Sequence, residues 1–432
     1  MHTKVLSLAG PIILSNVTVP LVGAVDTAVV GHLDDSTLIG AVAFGSLIFS
    51  FLYWGFGFLR FGTSGFSAQA FGNNDSLEAY FTLSRACLIG LALGVGLIVI
   101  HPLLRGTVLF LLQGSEMVES STAIYFNIRI WSAPAVLILY AVLGYLIAAQ
   151  DMRAVFYSQL LLNGLNITLD VLFVSVFDLA IEGVALATVI SEFAAVIFGL
   201  WLISQRTGYR LRVTLTSRLL NRNAVKQLLK ANINIFIRTL CLMFGFAWFT
   251  NRSAQLGDVY LAANAVLLHL QTIAAYAMDG FATAAEALVG RAIGARDKQN
   301  LISAMRITTL WALIIASLLS FVYLMVGIDL IGLMTNQADV LSTAQQYLPW
   351  LVVAPVISVW SFQLDGIFIG ATRTREMRNA MIVSLAVYLA VLEGLTAFAH
   401  NDGLWSSLLC LFVLRAITLW LYLPRITVAT KA

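Results

Sequence analysis

The sequence is cut into about twelve apolar runs of roughly 20 residues each, separated by short polar segments. That length constrains the fold strongly, because a helix rising 1.5 Å per residue needs about 20 residues to cross about 30 Å of hydrocarbon. Inside lipid, only helices and closed barrels satisfy their backbone hydrogen bonds. Barrel strands alternate polar and apolar residues over about ten positions, and no such alternation runs through this chain. Of the 432 residues, 60% are hydrophobic and 11% charged. A soluble domain carries about 25% charged residues, so most of the outer surface faces lipid and an all-α integral membrane protein is expected.

The periodicity predicts helices over residues 5–31, 38–61, 80–102, 122–148, 155–177 and 183–204, then 231–250, 260–284, 303–326, 345–369, 379–399 and 404–423. The first run is too long for a cleavable leader and lacks a small-residue cleavage site, so it is expected to remain as a spanning helix. Cys87, Cys241 and Cys410 lie far apart in apolar runs and read as small core residues, not as a disulfide or zinc framework.

Lysine and arginine of the loops fall mainly on one side of the twelve crossings, with Arg105 and Arg252 as exceptions. They lie in the central stretch (Arg206, Arg210, Arg212, Arg218, Arg222, Lys226, Lys230), near 290–300 (Arg291, Arg296, Lys298) and near 372–378 (Arg373, Arg375, Arg378). The positive-inside rule then puts both termini in the cytoplasm. The central run reads as a solvated linker with no partner.

The chain also repeats itself at a shift of 222 residues. Ala70-Phe71-Gly72-Asn73-Asn74-Asp75 falls on Ala292-Ile293-Gly294-Ala295-Arg296-Asp297, and Tyr125 falls on Tyr347. Gly144-Tyr145-Leu146-Ile147-Ala148-Ala149 falls on Gly366-Ile367-Phe368-Ile369-Gly370-Ala371. The expected organisation is an amino-terminal six-helix bundle (1–204), a cytoplasmic basic linker (205–230) and a carboxy-terminal six-helix bundle (231–432). Parallel repeats of this kind are typical of transporters, with substrate bound near the midplane between halves.

A charge at the bilayer centre costs at least about 2.5–3.5 kcal/mol, so each one calls for a reason. Asp26 sits deep in the first helix, after Pro11 and Pro20, which invite a bend. Asn163, Asn166 and Asp170 are spaced i, i+3, i+7 on one face of the fifth helix. A carboxylate held in low dielectric near another has a raised proton affinity and can load and lose a proton near neutral pH. The second half does not reproduce this pattern, since Trp248 stands at the position matching Asp26. Its intramembrane charges are Arg238, Asp279, Asp365, Glu393 and Arg415, and Arg238 is placed to neutralise Asp279 or Asp365. Arg129 and Glu192 read equally well as structural or functional, and Glu286 reads as solvated near a cytoplasmic end.

Enzyme signals are poor. There is no His-Glu-x-x-His, no Gly-x-x-x-x-Gly-Lys and no Cys-x-x-Cys. Gly62-Thr63-Ser64-Gly65 resembles the nucleophile segment of intramembrane serine proteases, but it lies at a helix end and four-residue matches in a Gly-rich membrane chain arise by chance.

Several segments together resemble the multidrug and toxic compound extrusion (MATE) family. They are Val25-Asp26-Thr27-Ala28-Val29-Val30-Gly31-His32-Leu33, Gly183-Val184-Ala185-Leu186-Ala187-Thr188, Ala68-Gln69-Ala70-Phe71-Gly72, and Val289-Gly290-Arg291-Ala292-Ile293-Gly294. Asn166 through Asp170 is similar to the fifth-helix motif of the DinF-like branch. The resemblance implies two six-helix bundles around a V-shaped cleft, and export of organic, often cationic or amphipathic, compounds in exchange for H⁺ or Na⁺. It implies a cation site of Asp26, Asn166, Asp170, Tyr125 and Thr188, and helix bending at Pro11 and Pro20. A secondary polar site at Arg238, Asp279 and Asp365 would lack a seventh-helix acid. No cofactor, resident metal or nucleic-acid partner is expected. The implied setting is a monomer in a bacterial inner membrane. H⁺ is the first reading for the coupling ion, with Na⁺ at Asp26, Asn166 and Asp170 or a flippase of lipids or metabolites as alternatives.

Overall fold

A computed structural model describes residues 1–31, 36–112, 115–207, 218–219 and 221–428, with the side chains of 17–31, 36–37, 111–112 and 428 outside the description. The described chain is helical throughout. The first half contains α1 (His2–Gly31), α2 (Ser36–Gly55), α3 (Phe58–Gly72), α4 (Ser76–Val99), α5 (His101–Leu112) and α6 (Glu116–Arg129). A 3₁₀ turn, Ile130–Ser132, leads into α7 (Ala133–Ala148), α8 (Met152–Ser175) and α9 (Ile181–Thr207). The second half contains α10 (Arg222–Leu256), α11 (Asp258–Gly294), α12 (Lys298–Met334), α13 (Ala338–Gly370), α14 (Thr374–Tyr422) and α15 (Pro424–Val428).

Among the described residues, ten helical segments are long and apolar enough to cross a membrane. One of them, Thr374–Thr427, is 54 residues long and so has the length for two crossings. It breaks at His400, whose φ of 48° and ψ of −122° are non-helical. With the 30-residue α1, these segments account for the expected spans. Boundaries moved where local chemistry overrides period. The run expected over 38–61 is interrupted between Gly55 and Phe58. The expected linker is shorter, since α9 continues to Thr207 and α10 begins at Arg222.

The chain divides into two compact units. One contains Leu14–Ser67 and Asp75–Leu229; the other contains Met1–Ile13, Ala68–Asn74 and Lys230–Ala432. The division at Leu229/Lys230 runs beside the expected linker, whereas residues 1–13 and 68–74 group with the carboxy-terminal helices.

In the amino-terminal unit, α8 and α9 form an antiparallel hairpin, α4 and α9 pack on α7, and α6 packs on α9 and α2. The solvated-linker expectation is corrected here for the residues described. Leu219 is buried, and Arg85 donates through Nε to the Leu219 carbonyl (2.9 Å) and through Nη2 to that of Arg218 (2.7 Å). Arg218 in turn pairs with Asp75 at 2.8 Å. The segment is tied to the start of α4 because backbone carbonyls and paired charges offer a buried guanidinium more than bulk water does.

In the carboxy-terminal unit, α13 is the central element, flanked by α11, α12 and α14. A knot of amides holds the break in α14. Asn264 donates through Nδ2 to Asn401 Oδ1 (2.6 Å) and to Ser253 Oγ (2.9 Å), and its own Oδ1 accepts from Asn401 (3.1 Å) and from Trp405 Nε1 (2.8 Å).

The 222-residue repeat is present in backbone geometry as well as in sequence. Asn74 and Arg296 both adopt positive φ, at 56° and 55°, and Gln150 and Thr372 match at 61° and 53°. Each is the left-handed residue that ends a helix. Asp75 caps α4 by accepting from the Glu78 N–H, and Asp297 caps α12 by accepting from the Asn300 N–H, both at 2.9 Å. The backbone and side-chain donors of Asn300 hold the Asp297 carboxyl below the usual carboxylate range.

Gly144 and Gly366 mark close helix crossings at equivalent places. A Cβ on Gly144 would lie 2.4 Å from the Arg60 carbonyl oxygen, and one on Gly366 would lie 2.1 Å from that of Ala282. A side chain at either position forces one helix off the other, a cost of at least about 1–3 kcal/mol for overpacking. Thermal unfolding in detergent should therefore fall by several degrees for Gly144→Ala and Gly366→Ala. Gly164→Ala, where nothing lies within 4 Å, should unfold at the wild-type temperature or slightly above it. Equal behaviour of all three would remove this account of the repeat's packing.

Candidate functional site

α8 begins at Asp151, which caps it by accepting from the Ala154 N–H at 3.2 Å. The helix is mostly apolar, so its polar residues must find one face. Asn163, Asn166 and Asp170 are all buried, Asp170 at 0% exposure. α9 folds back beside them and presents Thr188. Asn166 donates through Nδ2 to Thr188 Oγ1 at 3.3 Å. The Thr188 hydroxyl donates its own proton to the Val184 carbonyl at 2.9 Å, which leaves its lone pairs to receive Asn166. This orientation gives the inner face of α8 and α9 carbonyl, hydroxyl and carboxylate oxygens, the ligand types a hard cation takes.

Tyr125 is buried on α6, with its ring centroid 6.3 Å from that of Phe49 on α2. Its ring lies over Gly45, where a Cβ would come within 2.4 Å of it. The structure thus joins Asn166 to Thr188 directly, with Asp170 one turn along α8 from Asn166 and Tyr125 buried on α6. The side chains of Asp26 and Pro20 lie outside the described residues, and Pro11 is half-buried in α1. Among the described residues, no cluster of three or more His, Cys, Asp or Glu is arranged to hold a metal ion.

Beside this site lies a contact that sequence reasoning weighed evenly as structure or function. Arg129 and Glu192 form a two-pronged pair, with Nη1 to Oε2 at 2.5 Å and Nη2 to Oε1 at 2.6 Å. Arg129 Nη1 also donates to Ser132 Oγ at 2.5 Å, inside the 3₁₀ turn. The guanidinium carbon lies 5.4 Å from the Phe49 ring centroid and 5.5 Å from that of Tyr53. The signal for it was present in the spacing: Arg129 follows Tyr125 by four residues, and Glu192 follows Thr188 by four.

In the carboxy-terminal unit, Arg238 pairs with Asp365, the second of the two acids considered for it. Arg415 donates through Nη2 to the same oxygen, Asp365 Oδ2, at 2.5 Å. Asp279 lies on α11, near Tyr276. Glu393 pairs with Arg252 on α10. Glu286 corrects its expectation, because it is 1% exposed and not solvated. The end of α11 that carries it is covered by α13, with the Gly370 backbone against the Glu286 carbonyl. Ser64 is fully buried in α3, which removes the nucleophile of the protease reading.

Comparison with known proteins agrees with this architecture. The MatE family model matches residues 11–172 and again residues 235–393, once in each half. The chain is 40% identical over 415 residues to DNA damage-inducible protein F of Escherichia coli, a match covering 95% of this chain and 90% of that one. It is 21% identical over 427 residues to multidrug export protein MepA of Staphylococcus aureus, covering 98% and 94%. Among solved structures, a MOP superfamily transporter from Pyrococcus furiosus superposes with a TM-score of 0.88 at 18% identity, covering 100% of this chain and 97% of that one. Two copies of one family model in a single helical membrane chain, together with the Escherichia coli relative, place this protein in the MatE family of multidrug and toxic compound extrusion transporters; it is a transporter and not an enzyme.

Proposed function

We propose that this transporter is an antiporter that exports organic, often cationic, compounds in exchange for protons bound in its amino-terminal unit. The observation that carries the reading is Asp170, a carboxylate at 0% exposure in a mostly apolar helix, one turn from an amide already tied to Thr188. An ionised carboxylate taken out of water is costly, and protonation removes that cost. Asp170, with Asp26 on α1, is therefore the group that loads a proton from outside and releases it inside. Loss of charge rearranges the hydrogen bonds around Asn166, Thr188 and Tyr125, and α1 bends at Pro11 and Pro20 in response. Each proton carried inward makes available about 2.3 kcal/mol per 100 mV of membrane potential and about 1.4 kcal/mol per pH unit.

The same reading places the protein in a bacterial inner membrane as a monomer with both termini cytoplasmic, because Arg291, Arg296 and Lys298 cluster at the α11–α12 junction and Arg373, Arg375 and Arg378 at the α13–α14 junction, and the positive-inside rule assigns such ends to the cytoplasm. It takes the halves 1–204 and 231–432 as the two bundles that alternate access. The name of the Staphylococcus aureus relative supports a drug-like substrate.

Reconstitution in liposomes tests the ion. An imposed pH gradient without sodium should drive uptake of fluorescent organic cations; uptake that follows a sodium gradient alone would replace H⁺ with Na⁺ at the same oxygens. Asp26→Asn and Asp170→Asn should each lower proton-driven uptake at least tenfold, and full activity in both would remove the mechanism. Asn166→Ala and Thr188→Val delete one neutral hydrogen bond, worth about 0.5–1.5 kcal/mol. They should weaken the apparent affinity for the driving ion about two- to tenfold without abolishing transport.

A further inference from the structure

The ion pair Arg129–Glu192 stands one helical turn from the residues assigned above to the cation site, on the same two helices. Arg129 is four residues beyond Tyr125 on α6, and Glu192 is four residues beyond Thr188 on α9. Residues at this spacing share a helix face. The pair therefore bridges the two elements that carry Tyr125 and Thr188, on the side where they carry them. Both side chains are 9% exposed. The bridge is made rigid at both ends. Nη1 donates to Oε2 and Nη2 to Oε1. The same guanidinium also reaches Ser132, whose hydroxyl donates to the Arg129 carbonyl at 2.8 Å.

We infer that Arg129 and Glu192 are positioning residues for ion coupling: a permanent pair that sets Tyr125 and Thr188 beside Asn166 and Asp170 and keeps its own charges out of the titration. The inference rests on the cation-site reading above. The chemistry favours a fixed pair over a second proton carrier. A proton on Glu192 would leave the guanidinium buried without a counter-charge, and arginine does not shed its proton in proteins. The bidentate geometry makes the pair neutral as a unit, and the change of charge is assigned to Asp170.

Other groups face the pair from each packed element. They are Tyr53 on α2, whose hydroxyl lies 3.5 Å from Ser132 Oγ, Tyr125 on α6 and Tyr140 on α7, which feels Glu192, Arg60 and Arg129. Asp170 lies on α8, the hairpin partner of α9. None of the tyrosines supplies a charge near neutral pH. Asp170 and Glu192 stand one turn to either side of the Asn166–Thr188 contact on antiparallel helices, about 11 Å apart along the hairpin, so breaking the pair from one side leaves Asp170 an uncompensated charge at that range. A unit charge about 10 Å away, at an effective dielectric constant of about 20, moves a titration by about one pH unit.

The test measures ethidium transport by the full-length chain in liposomes as a function of pH. Glu192→Gln leaves a positive charge and should move the midpoint of the pH–rate profile down by about one unit. Arg129→Gln leaves a carboxylate and should move it up, with a second titration visible. The double variant should bring the midpoint back toward wild type while the rate stays at least fivefold lower. A purely structural pair would lower rates in all three without opposite shifts, and that result overturns the inference. If the single variants fail to elute as folded protein, Arg129→Lys and Glu192→Asp take their place. They keep the charges and lose the two-pronged geometry, so the midpoint should hold while the rate falls at least fivefold; a wild-type rate overturns the inference. Unshifted profiles alongside an inactive Asp170→Asn sink the positioning role and leave the cation site standing. Wild-type transport by Asp170→Asn sinks both.

Discussion

Hydrocarbon offers no hydrogen bonds, and that single constraint governs this chain from its backbone to its charges. Backbone amides of the described spans are spent within helices, and helix ends are closed by caps such as Asp75 and Asp297. Several charges within the spans are held in pairs: Arg129 by Glu192, Arg415 and Arg238 by Asp365. An uncharged counterpart is the knot of Asn264, Asn401 and Trp405 beside the break in α14 at His400.

Against that background the two halves agree in backbone and disagree in electrostatics. Turn geometry, helix caps and close crossings recur 222 residues apart, down to the carbonyls that Gly144 and Gly366 approach. The polar interior does not recur. In one unit, Asn166, Asp170 and Thr188 line a helical hairpin and a bidentate pair sits one turn away. In the other, one acid is shared by two arginines. Backbone packing is set by small residues and turns, and duplication preserves it; interior charge is set by single side chains and is free to diverge.

Much of this was legible in the sequence, and the reasons are physical. Spans follow from run length because the bilayer has a fixed thickness. The face bearing Asn163, Asn166 and Asp170 follows from helical spacing, and the structure buries all three. The partner of Arg238 could be narrowed to two acids but not chosen, because that choice depends on how α10, α13 and α14 meet in space. The burial of Glu286 was missed for the same kind of reason: position near a helix end says nothing of what covers it. The docking of Arg218 and Leu219 against α4 was hidden because a basic stretch looks alike whether it is solvated or tied to Arg85 and Asp75. The even weighing of Arg129 and Glu192 shows the limit most plainly, since 63 residues separate the two atoms that meet at 2.5 Å.

The shared oxygen of Asp365 makes the carboxy-terminal unit lopsided in its tolerance of genetic drift. Loss of either arginine leaves an intact couple behind. Loss of the acid leaves two like charges side by side in an oily interior. A lineage exploring sequence space can therefore discard one base and survive to replace it, while the acid admits no such detour.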